Sequence, residues 1–291
     1  MRIAGFLFDS LTAIRGLQVL RKTLGDRMSV AQKEWPLRGR ILMAVIGRTD
    51  GASRVRKPLR GGVALVTGGS RGIGRAIAYR LAMLGAAVSI CGRDRAALEE
   101  SGRGLARIGR AVHTQIADVT KGADITDLIA KTEAALGPIT ILVNNAGIGL
   151  FGPAHEKTEA DWDRVLDTNL KSVFLLSRAV APSMIRRGSG DIVNISSLAG
   201  KNAFAGGGIY CASKWGVVGL SGCLAEDLRE HGIRVSVICP GSVATEFSGR
   251  GPKDSSKGLS PEDVAHAVEA ILTQGPRSFL SEIHLRPLRK P

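Results

Sequence analysis

Six short apolar runs, each separated from the next by a longer stretch with helical spacing, decide what most of this chain can fold into. The runs are Val63–Val66, Ala87–Cys91, Val112–Ala117, Ile139–Val143, Asp191–Ile195 and Arg234–Cys239. Between them lie Gly74–Leu84, Arg95–Ile108, Ile125–Leu136, Trp162–Arg187 and Tyr210–His231, with a turn expected near Pro182. Near-continuous hydrophobic strands are buried on both faces, and strict alternation with helices forces parallel pairing through crossovers. Right-handed crossovers then give an α/β fold, a doubly wound parallel sheet flanked by helices on both faces. This single domain is expected over residues 61–291, with residues 1–60 as an N-terminal extension.

The first run leads into Thr67-Gly68-Gly69-Ser70-Arg71-Gly72-Ile73-Gly74, and the first helix follows. Gly68 permits a tight turn, Gly72 lets the backbone approach a pyrophosphate, and Gly74 allows the helix to pack closely on the strand. Free N–H groups at the helix start then face an anion. With a strand before it and a helix after it, this turn makes the sheet Rossmann-type and dinucleotide-binding. An acidic residue about 20 positions further on usually holds the ribose hydroxyls of NAD. The second strand instead ends Cys91-Gly92-Arg93, and Arg93 and Arg71 suit a 2′-phosphate. The expected cofactor is therefore NADP(H); Asp94 stands one residue late for the NAD role.

Tyr210 and Lys214 are four residues apart on an expected helix and share one face. A phenol is a poor acid/base at neutral pH unless a neighbouring cation favours its anion. Ser196 and Ser197 end the fifth strand, Asn144-Asn145-Ala146-Gly147 the fourth and Pro240-Gly241 the sixth. All of these meet at the carboxyl edge of the sheet, where doubly wound folds bind ligands.

Together these segments resemble the short-chain dehydrogenase/reductase family over about residues 61–291. TGGSRGIG at Thr67–Gly74 is similar to its cofactor turn, NNAG at Asn144–Gly147 to its fourth-strand motif and YCASK at Tyr210–Lys214 to its YxxxK. Ser197 stands thirteen residues before Tyr210, the family's usual serine position, and Asn169 sits where the family keeps a helix asparagine. The resemblance implies that Tyr210 protonates a carbonyl oxygen while hydride arrives from NADPH, and that Ser197 stabilises the charge on that oxygen. It implies that Lys214 holds the nicotinamide ribose and lowers the Tyr210 pKa, and that Asn169 anchors a water joining Lys214 to solvent. It further implies cofactor contacts from Thr67, Ser70, Ile73 and Val119, and from Asp118 to the adenine amine. Asn145, Ala146 and Gly147 would lie along the ribose and nicotinamide side, with Pro240, Gly241 and Thr245 at the carboxamide. A simple strand-end cap is the alternative for Asp118.

Substrate contacts are expected from residues 149–155, 200–208 and 246–260. The pattern is generally similar to 3-oxoacyl-carrier-protein reductases, but Ser281–Pro287 replaces their glycine-rich ending. A ketone or aldehyde is thus as good a substrate as a 3-oxoacyl compound. A non-catalytic NADP sensor or scaffold is the alternative. The family implies a homodimer or homotetramer through helices over about residues 163–187 and 210–231.

Charge is informative mainly by its position. The net charge is +14, but residues 1–60 hold 13 Lys/Arg against 4 Asp/Glu. The basic balance belongs mostly to that segment and gives no reason to expect nucleic-acid binding by the domain. Phe6, Leu7, Leu11, Ile14, Leu17 and Leu24 recur at helical spacing. A targeting segment, a membrane-surface or partner helix, and an extension upstream of a start near Met28 or Met43 all fit. Charges interrupt the segment too often for stable membrane insertion. Cys91, Cys211, Cys223 and Cys239 lack metal or redox spacing and read as free, buried thiols in a reducing, cytoplasmic setting. No metal is expected, and His113, His155, His231, His266 and His284 carry no assigned chemistry.

Overall fold

In the computed structural model, which describes residues 58–247 and 257–289, the six runs become strands of one sheet, the Val112–Ala117 run at its edge. The amphipathic stretch near the N-terminus, and residues 248–256 of the third expected substrate segment, lie outside the described residues. The elements are β1 (Val63–Thr67), α1 (Gly72–Met83), β2 (Ala87–Gly92), α2 (Arg95–Ala106), β3 (Val112–Ile116), α3 (Gly122–Leu136) and β4 (Ile141–Asn144). They continue as α4 (Glu159–Leu166), α5 (Ser172–Arg187), β5 (Gly190–Ile195), α6 (Gly208–Arg229), β6 (Ile233–Pro240), α7 (Pro261–Leu272) and β7 (Glu282–Leu285).

All strands pair in parallel, in the order β3-β2-β1-β4-β5-β6-β7. The order reverses at β1, which pairs with β2 on one side and β4 on the other. That switch point opens a crevice at the carboxyl edge. Alternate residues of β1 enter opposite layers, as the strand period of two requires. Ala64 and Val66 pack with Ile77, Leu81 and Val268, whereas Val63 and Leu65 pack with Leu128, Leu176 and Met184. The domain also reaches back beyond Gly61, because the Leu59 side chain joins the first layer and its N–H donates to Leu84 at 3.0 Å.

Three features depart from the sequence expectation. The sheet has a seventh strand: β7 is short and half-exposed, and its Glu and His positions mask the apolar signal. The break expected at Pro182 is absent, since α5 runs through it. Proline removes one hydrogen bond to the carbonyl four residues earlier, but Pro182 and Arg178 both lie on the exposed side of the helix, where that loss costs less than in the core. The helix is instead disturbed one segment earlier, by a π turn over Asp167–Lys171. The third feature is α7, which the sequence reading did not assign. Ser260 and Asp263 cap its start reciprocally, Pro261 opens it, and Val264, Val268 and Ile271 are buried.

Cys91, Cys211 and Cys239 are free and buried as expected, whereas Cys223 is exposed on α6. Among the described residues no helix is long and apolar enough to cross a membrane.

Candidate active site

The glycine turn is shaped by steric limits that only glycine meets. Gly68 has φ +64° and Gly72 φ +50°, values that L side chains rarely adopt. A Cβ on Gly74 would lie 2.3 Å from the Gly68 carbonyl oxygen, so helix and turn approach as closely as backbone allows. The turn is pinned from three sides. The Gly69 N–H donates to Cys91 at 3.1 Å, and the Ser101 hydroxyl donates to the Gly69 carbonyl at 3.1 Å. The Asn145 amide donates to the Thr67 carbonyl at 2.9 Å and the Gly68 carbonyl at 3.3 Å. The Thr67 hydroxyl accepts from the Asn145 and Ala146 N–H groups, both at 3.0 Å. α1 then starts with no side-chain cap and no acidic residue in its first turn. Its leading N–H groups and positive dipole end therefore suit an anionic ligand.

Beside the turn, Asp94 caps α2 by accepting from the Ala97 N–H at 3.1 Å and also pairs with Arg71. Arg93 is exposed. Asp118 turns back on its own loop, accepting from the Thr120 N–H at 3.0 Å and hydroxyl at 2.8 Å. Burial raises its pKa, but the Thr120 hydrogen bonds and the Arg93 and Lys121 charges outweigh that and leave it lowered. Ser70 packs its hydroxyl toward Gly92, and Val119 is buried in the second core layer.

At the other end of the crevice, β5 delivers two serines with different partners. The Ser196 hydroxyl donates to the Lys214 carbonyl at 2.9 Å and stays buried. The Ser197 side chain accepts from the Ala199 N–H at 3.1 Å and sits beside the Tyr210 phenol, whose anion it favours. Tyr210 and Lys214 are one turn apart on α6, both buried, with the Lys214 ammonium 5.9 Å from the Tyr210 ring centroid. The ammonium donates to the Ile195 carbonyl at 2.9 Å. Burial pushes the Tyr210 phenol up to about 12, and Ser197 offsets this only in part. Burial likewise lowers Lys214 to about 8. Burial is the largest cause at both groups, and Lys214 is not among the causes that shift Tyr210.

Asn169 sits in the π turn, fully buried. Its oxygen accepts from the Ile148 N–H at 2.8 Å, and its amide donates to the Ile148 carbonyl at 2.9 Å and the Ser213 hydroxyl at 3.0 Å. It thereby joins the loop after β4 to the helix that carries Tyr210.

One cavity of about 1490 Å³ brings most of the expected residues together. Gly68, Arg71, Gly72, Ile73, Gly74, Asn145, Ala146 and Gly147 line one part, and Ser197, Tyr210, Lys214, Pro240, Gly241 and Thr245 the other. Thr67, Ser70, Arg93, Asp118, Val119 and Asn169 stand outside its lining. Each expected substrate segment contributes: Phe151 from the first, Asn202, Ala203 and Phe204 from the second, Glu246 and Phe247 from the third. Arg286, Pro287 and Leu288 also line it, a contribution missed in sequence because β7 was missed. A Cβ on Gly241 would lie 2.8 Å from Pro287, so this tail passes directly over the end of β6. Nearby, Cys239, Glu282 and His284 bring three potential ligand atoms within 4.8 Å of one another. The Lys201 ammonium already holds the Glu282 carboxylate at 2.8 Å.

Residues 62–255 match the family described as short chain dehydrogenase. The chain is 41% identical to gluconate 5-dehydrogenase of Gluconobacter oxydans over 192 residues, 66% of this chain and 75% of that one. It is 38% identical to the (3R)-3-hydroxyacyl-CoA dehydrogenase of Mus musculus over 242 residues, 77% of this chain and 93% of that one. A metagenomic short-chain oxidoreductase solved in complex with NADP superposes with a TM-score of 0.71 at 43% identity, covering 80% of this chain and 99% of that one. Motifs, sheet order and relatives agree, and the chain belongs to the short-chain dehydrogenase/reductase family, as an oxidoreductase acting on CH–OH donors.

Proposed function

We propose that residues 61–291 form an NADP(H)-dependent oxidoreductase domain that interconverts a carbonyl compound and its secondary alcohol, with Tyr210 as acid/base. The observation that carries this reading is that Ser197, Tyr210 and the buried Lys214 line the same cavity as the uncapped start of α1. Four unpaired cysteines favour a reducing setting such as the cytoplasm.

The residues fit such a cofactor. Gly68 and Gly72 leave the space a Cβ would fill, and the α1 N–H groups suit a pyrophosphate. Arg71 and Arg93 are the groups for a 2′-phosphate, with Arg71 shared between that anion and Asp94. A neighbour of 43% identity was solved with NADP, which supports the same choice. When bound, the dinucleotide supplies or accepts the hydride. The chain's own residues do the rest. In reduction the Tyr210 hydroxyl donates its proton to the carbonyl oxygen as negative charge develops there. Ser197 hydrogen-bonds the same oxygen and stabilises that charge. Lys214, held at the Ile195 carbonyl, would hold the ribose hydroxyls, and it keeps a positive group near the phenol. Asn169 fixes the Ile148 loop against α6 and so holds the distance between the two halves of the cavity.

The test is NADPH consumption by the full chain across a carbonyl panel that includes an acetoacetyl thioester. Replacing Tyr210 by Phe should lower turnover about 10²- to 10⁴-fold and leave NADPH binding intact. Turnover independent of Tyr210 would refute the assignment. Tight NADPH binding without turnover of any carbonyl would return the protein to the sensor reading.

A further inference from the structure

Three phenylalanine rings, each from a different segment, form one aromatic chain with the Tyr210 ring. Phe151, from the loop after β4, meets Tyr210 edge-on with centroids 5.3 Å apart. Phe247, beyond β6, lies 6.0 Å from Tyr210, and Phe204, ahead of α6, lies 6.2 Å from Phe151. All three line the cavity, yet they remain 41%, 44% and 48% exposed for Phe151, Phe247 and Phe204. Large apolar groups held open along a cavity wall mark a surface that an apolar ligand covers.

The rings are built into the backbone. A Cβ on Gly149 would fall 2.8 Å from Phe151 and 2.9 Å from Phe247. On Gly207 it would fall 2.6 Å from the Phe204 ring. Leu198, Ala203 and Leu288 extend the apolar wall. Glu246 and Arg286 bring one charge of each sign to the same lining. Beside the rings, the Asn202 amide donates to the Leu198 carbonyl at 3.2 Å. A polyhydroxylated substrate would bury hydroxyls against rings that offer no partner, which costs binding energy.

We infer that, given the reading of Tyr210 above, this cavity takes a ketone carrying a flat, uncharged apolar group beside its carbonyl, clamped by Phe151, Phe204 and Phe247. An aryl or alicyclic ketone satisfies this description; a sugar acid does not.

The test compares 1-tetralone, acetone and 5-oxogluconate as substrates of the full chain with NADPH. The expected kcat/KM for 1-tetralone is at least about 50-fold that for acetone, with 5-oxogluconate below both. Phe204→Ala, which removes the ring farthest from Tyr210, should cut the tetralone-to-acetone ratio about tenfold, and Phe204→Leu should cut it less. Calorimetry of 1-tetralone against the NADP⁺-loaded protein reads the clamp without turnover, and Tyr210→Phe should bind it like the parent. Preference for 5-oxogluconate, or a ratio and affinity indifferent to Phe204→Ala, overturns the clamp. Phe204-dependent tetralone binding with no turnover supports the clamp and sinks the acid/base reading of Tyr210.

Discussion

Tyr210 poses an electrostatic problem that its neighbours only half solve. Its hydroxyl is buried and held at about 12, so at neutral pH it is an acid in waiting and a scarce base. The sign of the pH dependence follows. Alcohol oxidation needs the phenolate, whose fraction grows about tenfold per pH unit below the pKa. Carbonyl reduction needs the phenol, which is already the dominant form. In initial-rate assays from pH 6 to 9, oxidation should climb with pH while reduction stays level or falls; parallel profiles would contradict this role for Tyr210. At the turn, Gly74→Ala forces a Cβ into the Gly68 carbonyl, which lies within 2.3 Å of it. The overpacking should cost about 1–3 kcal/mol in denaturant titrations and weaken NADPH binding as the turn shifts. These residues were legible because glycine placement and a Tyr–Lys pair are local patterns. Asn145 was legible only as a position: besides lining the cavity, its amide holds the turn, and that depends on a partner far away in sequence. The phenylalanine clamp was harder still, since its three rings meet only after three loops have folded over one strand edge.

Among the elements, strands buried on both faces were the easiest to read. Runs such as Val63–Val66, with four successive apolar residues, leave little choice of layer, and the parallel order followed from alternation with helices. β7 escaped because it lies at the sheet edge, where only half its residues need be apolar, and its Lys201–Glu282 pair is partly exposed. Pro182 misled in the opposite sense. A proline reads as a helix break, yet one lost hydrogen bond at a solvated position is tolerable when Val180 and Met184 on either side are anchored in the core. Pro182→Ala should therefore stabilise the domain by about 1–2 kcal/mol, restoring the bond to the Arg178 carbonyl. Thermal unfolding measures it, and an unchanged or lower Tm would mean that the proline's effect on the unfolded chain dominates.

For the whole molecule, the helices α4 to α6 carry apolar groups that the domain itself does not cover. Trp162, Phe174, Ile185 and Trp215 are each more than a third exposed on these helices. That supports our proposal of a homodimer or homotetramer assembled through this face. Native mass spectrometry should show a dimer or tetramer that Trp215→Glu weakens; a monomer at micromolar concentration would refute it. Assembly was not readable from periodicity, because a helix patterned for two apolar faces looks like one that is merely well buried. Finally, the bridge from Asn145 to Thr67 joins residues 78 positions apart. The first strand, turn and helix therefore cannot hold their shape until the fourth strand has docked beside them. Closing so long a loop is slow relative to local helix formation. In refolding experiments, recovery of cofactor affinity should then lag behind recovery of helical circular dichroism, and a fragment ending before β4 should refold without capturing the dinucleotide at all.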